Sequence, residues 1–474
     1  MNAGGAFRRI AALGVARRGV GTETATSPLP FEKIPAPGGL PYLGSTLAFI
    51  AAGSAPKLHE YVDARHRQLG PIFRDRIGPV AAVFVADPAE MRAVFAGEGK
   101  HPVHLLPEAW ATYNRTYGCS RGLFFMEGDE WWRHRRAMNG FLLRGDLRWI
   151  EASCGEPTGD LVRRLHGHRD GEVIPHLERH LYAWSLEVMA SVLLGPRCYA
   201  TNKSKLAVTL ERLASVIRAV FENTNKLYVV PSEWAAKLRI PRWKRFVGSV
   251  DDALRISNEL LEQMSSYESD GLLRKMRSVM DDETVKKIVV DLILAAGDTT
   301  AYSMEWILYS VSSNPRVQEE LHEELAASTS STLSKHVVRE TLRLYPVAPF
   351  LTRILPRDAV VNNYVIPKST LIVLSIYTSG RDPKFFDRPR DFLPQRWSRC
   401  HSDYRTSMQS ATMPFGMGSR SCVGRKIAET QLLVALEEIV RRFRLVSANE
   451  EKLEVTMRMV AVPSKPVKLK LVKR

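Results

Sequence analysis

The sequence lacks a CxxC pair, an uninterrupted apolar run of membrane-spanning length, an internal repeat and a low-complexity linker. Its five cysteines, Cys119, Cys154, Cys198, Cys400 and Cys422, are odd in number and unevenly spaced. That argues against a disulfide framework and for a reducing compartment. A membrane-crossing helix needs roughly 20 apolar residues. The best stretch here, LPYLGSTLAFIAAG from Leu40, is broken by Pro41, Gly44 and Gly53. The absence of repeats sets aside solenoids and propellers. A formal charge of +16 comes without a recognition motif of interleaved aromatics, so no nucleic acid is expected and a diffuse basic surface is the simpler reading.

Acids and serines are absent from Met1 to Val20, which holds Arg8, Arg9, Arg17 and Arg18 among small apolar residues. This composition suits a mitochondrial presequence, with a frayed basic tail as the alternative. The expected division is a presequence over 1–29 and a single domain over 30–474, entered through the proline- and glycine-rich PFEKIPAPGGLPYLG.

What is present points to a mainly α chain with small β-sheets, an α+β fold. GPIFRDRIGPVAAVFVADPAEMRAVF, from Gly70, predicts two short strands around Gly78-Pro79, then a helix capped by Asp87 with Pro88 first. Amphipathic segments over Leu177–Leu194 and Lys205–Val220 predict helices, and Asp358–Tyr377 a second β patch. A long helix is expected from Asp281 or Asp282 to Asn314-Pro315, enough to cross a domain at 1.5 Å per residue. Gly297, Asp298, Thr299 and Thr300 sit in its middle. A mid-helix glycine costs on the order of 1 kcal/mol relative to alanine, and a threonine hydroxyl can bond a preceding-turn carbonyl and open a polar groove. A structural kink and a reaction site both fit.

FGMGSRSCVGRK, Phe415–Lys426, puts Cys422 in a glycine-rich loop feeding the amphipathic run Ile427–Phe443. A helix N-terminus and flanking arginines favour a thiolate there. Glu340 and Arg343, three apart in LSKHVVRETLRLYPVAP, share a helix face.

Together, PFGMGSRSCVGRK, AAGDTT, the ExxR pair and FLPQRW closely resemble the cytochrome P450 family, from about Pro30 to Pro466 and in the family's order. The resemblance implies a haem between the long helix and the cysteine-loop helix. Cys422 would be the thiolate ligand of its iron, pushing electron density toward O–O cleavage. Phe415, Arg420, Arg353, Trp131 and Arg135 match haem contacts of the family, the arginines facing the two propionates. The doubled WW and RR leave Trp132 with Arg136 as the other register. Glu340, Arg343 and Arg396 resemble the family's buried triad, with Gln395 where an acid often stands. Asp298 and Thr299 match the acid and alcohol that deliver protons. Their retention argues for monooxygenation over a haem-thiolate isomerase or a non-catalytic haem protein. Ala296 replaces a usual glycine.

Lys335 and Arg339 match positions where mitochondrial members dock an adrenodoxin-type ferredoxin, itself fed by an NADPH-dependent reductase, and Arg425 and Lys426 extend that basic face. LYVVPSEWAAKLRIPRWKRF, Leu227–Phe246, interleaves Trp234 and Trp243 with basic residues. This suits peripheral contact with the matrix side of the inner mitochondrial membrane, tryptophans in a core being the alternative. By resemblance the pocket includes Leu294, Ala295, Val347, Ala348, Phe350 and Met459, whose apolar character fits a sterol. AAGDTT and the short AASTSST connection look most like arthropod ecdysteroid hydroxylases, above all the 2-hydroxylase that converts 2-deoxyecdysone to ecdysone. A broad-specificity detoxifying mitochondrial member is the alternative.

Overall fold

The computed structural model describes residues 27–227, 230–328, 330–398, 408 and 411–474. Residues 1–26, which hold most of the expected presequence, and Cys400 lie outside these. The chain opens with α1 (Thr46–Ala51), α2 (Leu58–Leu69), β1 (Ile72–Ile77), β2 (Val80–Val85), α3 (Pro88–Ala96), α4 (Glu108–Tyr117) and α5 (Gly128–Leu142). A helical block follows: α6 (Arg148–His166), α7 (Leu177–Leu194), α8 (Pro196–Asn225), α9 (Ser232–Lys237), α10 (Pro241–Ser265) and α11 (Leu272–Arg277). Next come α12 (Asp282–Ser312), α13 (Pro315–Ala327), α14 (Thr332–Leu344), β3 (Phe350–Ile354), β4 (Ala359–Val361), β5 (Tyr364–Ile366), β6 (Leu371–Ser375) and α15 (Ile376–Ser379). The last are α16 (Arg425–Arg442), β7 (Phe443–Ser447), β8 (Val455–Arg458), β9 (Val460–Pro463) and β10 (Leu469–Lys473).

Local chemistry sets these boundaries. Asp87 caps α3 by accepting from the amides of Ala89 and Glu90, with Pro88 at the first position, as its spacing predicts. Asp281 caps α12 by accepting from Thr284 N at 2.8 Å. β1 and β2 form the antiparallel hairpin, and β2 then pairs parallel with β6, which pairs antiparallel with β3. This four-stranded sheet has its own small core around Ile72, Val83, Val85 and Ile372. The larger core lies among the helices, with Trp184 and Trp306 fully buried.

α12 runs without interruption through Gly297 to Thr300. Gly297 is explained by packing: a Cβ there would meet Ile217 of α8 at 3.3 Å and Leu186 of α7 at 3.4 Å. The missing side chain lets three helices meet, which offsets its conformational cost. Gly122 works similarly, its added Cβ falling 2.6 Å from Lys287 O. There Arg121 pairs with Asp291 of α12 at 2.6 Å, and Gly122 N donates to the same carboxylate at 2.8 Å.

Among the described residues no helix is long and apolar enough to cross a membrane. Trp234 on α9 is 67% exposed, with Leu238 beside it at 69%. Trp243 corrects the expectation: it is buried, because α10 turns it inward onto Phe246 at 5.4 Å, whose ring in turn meets Trp110.

Candidate active site

The cysteine loop is a tight turn. Cys422 N donates to Phe415 O at 2.8 Å, and Gly416 and Gly418 take left-handed φ values of 68° and 74°. Gly418 is required for an unforeseen reason: a Cβ there would overlap the Glu98 carboxylate. Glu98, buried at the end of α3, accepts from Ser419 N at 2.7 Å and Ser419 Oγ at 2.9 Å, and takes Arg353 Nε of β3 at 2.5 Å. One carboxylate thus fastens the loop to the sheet.

Arg135, Arg353 and Arg420 converge here. Arg420 spreads over Trp131, its guanidinium 4.4 Å from the ring, and donates to Pro102 O at 2.8 Å. Arg135 donates to Asn139 Oδ1 at 2.8 Å and to Ser421 O. Trp131 and Arg135 are buried against the loop, while Arg136 is exposed and Trp132 half-buried. Burial pulls Arg420 down to about 10, with Glu127 acting against it and Arg353 and Arg135 with it, and burial brings Arg135 to about 10. His104 Nε2 is buried without a hydrogen-bond partner, and the ring, pushed down to about 3 by burial, feels Arg420 and Arg353. Three arginines beside two acids, Glu98 and Glu127, leave a net positive charge to be balanced, and the neutral His104 ring has an unused hydrogen-bonding nitrogen.

At Cys422 desolvation pushes the thiol up, while the Gly424 amide, Arg135 and Arg425 pull it down, toward the thiolate. A bound cation, rather than the loop alone, would favour the thiolate. Yet Cys422 has open surface. So has Ala295, mid-way along a helix that is otherwise mostly buried, and Thr299 one turn on is partly open. The helix face and the cysteine loop therefore offer a site with open surface, not packed core. Its residues fit a haem: a thiol for the iron, arginines and His104 for two propionates, apolar surface between.

Asp298 and Thr299 are not brought side by side. Thr299 Oγ1 bonds Ala295 O at 2.9 Å on the open face. Asp298 is 2% exposed, on the α7 side, and Tyr182 of α7 donates its hydroxyl to Asp298 Oδ1. Burial pushes the Asp298 carboxyl well above the usual carboxylate range. Val347 O accepts from Ala461 N at 2.9 Å, which brings the β8–β9 turn with Met459 beside Val347. Ala348 and Phe350 are half-buried next to it, and Leu294 is buried. Ala296 has its carbonyl taken by Ser185 Oγ at 2.8 Å.

Below the loop, Glu340 is fully buried and takes Arg343 at 2.7 and 2.9 Å, Arg396 at 2.9 Å, Trp397 Nε1 at 2.9 Å and Leu393 N at 3.0 Å. Arg343 spends its other donors on the carbonyls of Gly380, Pro389 and Asp391. Gln395 faces outward and donates to Glu320 at 2.8 Å. On the adjoining surface Lys335 is exposed, while Arg339 stacks on Trp397 at 4.1 Å. Arg425 and Lys426 both pair with Glu429, at 2.8 and 3.5 Å.

Sequence reading missed Glu98, His104, Tyr182 and Arg121. Glu98, Tyr182 and Arg121 act through partners far along the chain, Glu98 and Arg353 being 255 residues apart, and His104 through the charges of Arg420 and Arg353, so no local spacing could reveal them.

The family model described as Cytochrome P450 matches residues 34–471. Among curated proteins the chain is 38% identical over 464 residues to Cytochrome P450 315a1, mitochondrial, of Drosophila melanogaster, covering 93% of this chain and 88% of that one. It is 29% identical to Sterol 26-hydroxylase, mitochondrial, of Rattus norvegicus, covering 93% and 89%. Against 25-hydroxyvitamin D-1 alpha hydroxylase, mitochondrial, of Mus musculus it is 31% identical, covering 91% and 92%.

Proposed function

The chain belongs to the cytochrome P450 family of haem-thiolate monooxygenases, and we propose that it hydroxylates a sterol in mitochondria with electrons from a ferredoxin. The observation that carries this reading is its similarity, along nearly the whole chain, to relatives named as a mitochondrial sterol 26-hydroxylase and a mitochondrial 25-hydroxyvitamin D-1 alpha hydroxylase. The finer reading, an ecdysteroid 2-hydroxylase that turns 2-deoxyecdysone into ecdysone, is supported by the 38% identity to the Drosophila protein and by the sequence motifs.

When bound, the haem supplies oxygen activation and insertion of one oxygen atom into a C–H bond. The residues of this chain do the rest. Cys422 would hold the iron, and Arg135, Arg353, Arg420 and His104 the propionates, with Trp131 and Phe415 walling the site. Thr299, on the open face, orients water and passes protons, with Asp298 as the acid behind it. Leu294, Ala295, Val347, Ala348, Phe350 and Met459 form an apolar pocket that orients a rigid lipid and excludes water. Glu340, Arg343 and Arg396 keep the loop in place. Lys335, Arg339, Arg425 and Lys426 steer an acidic ferredoxin toward the surface that carries them. The exposed Trp234 and Leu238 suit peripheral contact with the matrix side of the inner membrane. In this reading 1–29 is the presequence and 30–474 one catalytic domain.

The test is reconstitution of the mature chain with an adrenodoxin-type ferredoxin and its reductase, feeding 2-deoxyecdysone and analysing products by mass spectrometry. Conversion to ecdysone that stops without ferredoxin is expected. A chain that takes electrons but returns this sterol unchanged overturns the ecdysteroid reading and leaves the redox class standing.

A further inference from the structure

α7 and α12 run in opposite directions along one another, with Ser185 bonded to Ala296 O and Tyr182 bonded to Asp298. Along this seam the core is otherwise apolar, built by residues such as Leu181 and Leu186. Two polar stripes interrupt it at helical spacing: Glu178, Tyr182 and Ser185 on α7, and Asp298, Tyr302 and Glu305 on α12. The rings of Tyr182 and Tyr302 meet edge to face at 5.8 Å.

Both stripes reach space that can hold water. A groove of about 950 Å³ between α6, α7 and α8 is lined by Tyr182 and Glu178 and bordered by exposed residues such as Arg179 and Glu211. A second cavity of about 180 Å³ shares Glu178 and Arg218 with the groove and adds Tyr302 and Glu305. It is polar and roomy enough for several ordered waters.

The two acids that α12 buries toward its neighbours before this cavity are treated differently. Asp291 is locked by Arg121 at 2.6 Å. Asp298 has no cationic partner among the described residues. Its Oδ1 meets only the Tyr182 hydroxyl, and its Oδ2 is buried without a partner. Nearby Arg218 is occupied by Glu222 at 3.2 Å and Glu178 at 3.6 Å. A carboxyl held by a neutral hydroxyl, with no counter-ion, can take up and release a proton, and burial holds both Asp298 and Glu305 above the usual range.

We propose that Tyr182 is the proton inlet of the enzyme, joining water in the α7–α8 groove to Asp298. Groove water gives a proton to the tyrosine oxygen as the tyrosine O–H proton passes to Asp298 Oδ1. One O–H bond forms and one breaks at Tyr182, the carboxylate gains the proton, bulk water supplies it, and no electron moves. Oxygen activation consumes the protons so delivered. This inlet rests on the reading of Asp298 and Thr299 given above.

The experiment compares holoenzyme carrying Tyr182→Phe, which keeps the ring but not the hydroxyl, with the parent. Haem content and sterol binding stay unchanged, product formed per electron pair falls at least about threefold, and the solvent isotope effect on turnover rises. Independently of activity, the infrared signal of the buried carboxyl, assigned through Asp298→Asn, exchanges more slowly in heavy water. Coupling, isotope effect and exchange equal to the parent's overturn the inlet. If Tyr182→Phe fails to retain haem, Ala214→Phe decides: it fills the groove from α8, keeps the tyrosine hydroxyl in the chain and must raise the isotope effect, an unchanged value overturning the inlet. Asp298→Asn separates the two readings. Full coupling in that variant overturns the role of Asp298 itself, whereas an uncoupled Asp298→Asn beside a parent-like Tyr182→Phe overturns only the inlet.

Discussion

Glu98 binds Arg353 Nε at 2.5 Å with one oxygen and the Ser419 amide at 2.7 Å with the other, so a single buried carboxylate ties α3, β3 and the cysteine loop together. Glu98→Gln leaves Arg353 buried without its counter-charge, and removal of one partner of such a pair costs about 3–5 kcal/mol. We expect a lower denaturation midpoint and reduced haem per chain. Parent-like haem content in the purified variant would contradict this role.

Gln395 faces Glu320 rather than the buried triad. Gln395→Glu, which installs the commoner family residue, puts two carboxylates face to face at the surface. A cost of up to about 1 kcal/mol is expected, with haem content unchanged. Loss of haem would show that this position senses the triad after all.

Thr299 keeps its hydroxyl on the open face of α12. In Thr299→Ala, electron consumption continues while product falls by about tenfold or more, since a positioned proton carrier is worth at least that much. The check is product against NADPH consumed and peroxide released.

Lys335→Gln with Arg339→Gln removes two positive charges from the surface of α14. Lys335 is exposed and Arg339 half-buried against Trp397, and two charge pairs at about 0.2–1 kcal/mol each predict roughly 2- to 30-fold weaker ferredoxin binding and a flatter salt dependence. An unchanged titration at low salt would count against this face.

Glu305 is pushed up to about 8 by burial, from an ordinary value of 4.5. Below about pH 4.5 both folded and unfolded chains hold the proton. Between 4.5 and 8 the unfolded chain releases it and the folded chain does not, so this group's stabilising contribution is lost as pH rises. Glu305→Gln removes that slope, and its stability advantage over the parent should grow from about pH 5 to pH 8. Denaturant midpoints across the range provide the test.

Much of the fold was legible because local rules governed it. The start of α12 at Asp281 or Asp282, the Asp87-Pro88 start and the limits of Leu177–Leu194 all emerged as read. α8 proved longer than Lys205–Val220, since its first turns carry polar residues such as Asn202 and Lys203 that blur the apolar period. The P450 family was legible from the cysteine loop, the ExxR pair and AAGDTT together. What packs on the site was not: Glu98 and Tyr182 become meaningful only when Arg353 and Asp298 arrive from far along the chain. Trp243 was misjudged for a related reason, because composition places a tryptophan near basic residues but cannot tell which way a helix turns it.

The pairing of β2 with β6 ties Val83 to Ile372 and Val85 to Leu374. Nearly three hundred residues must therefore be made, and remain unfinished, before the amino-terminal hairpin finds its neighbour strand. No fragment ending before Leu371 can complete that sheet, so domain completion is a late event during synthesis or after delivery of the unfolded chain. Closure over so long a loop is slow and exposes strand edges meanwhile. The order of assembly is thereby constrained: a folding chain needs shielding at its amino-terminal strands until its last third has emerged.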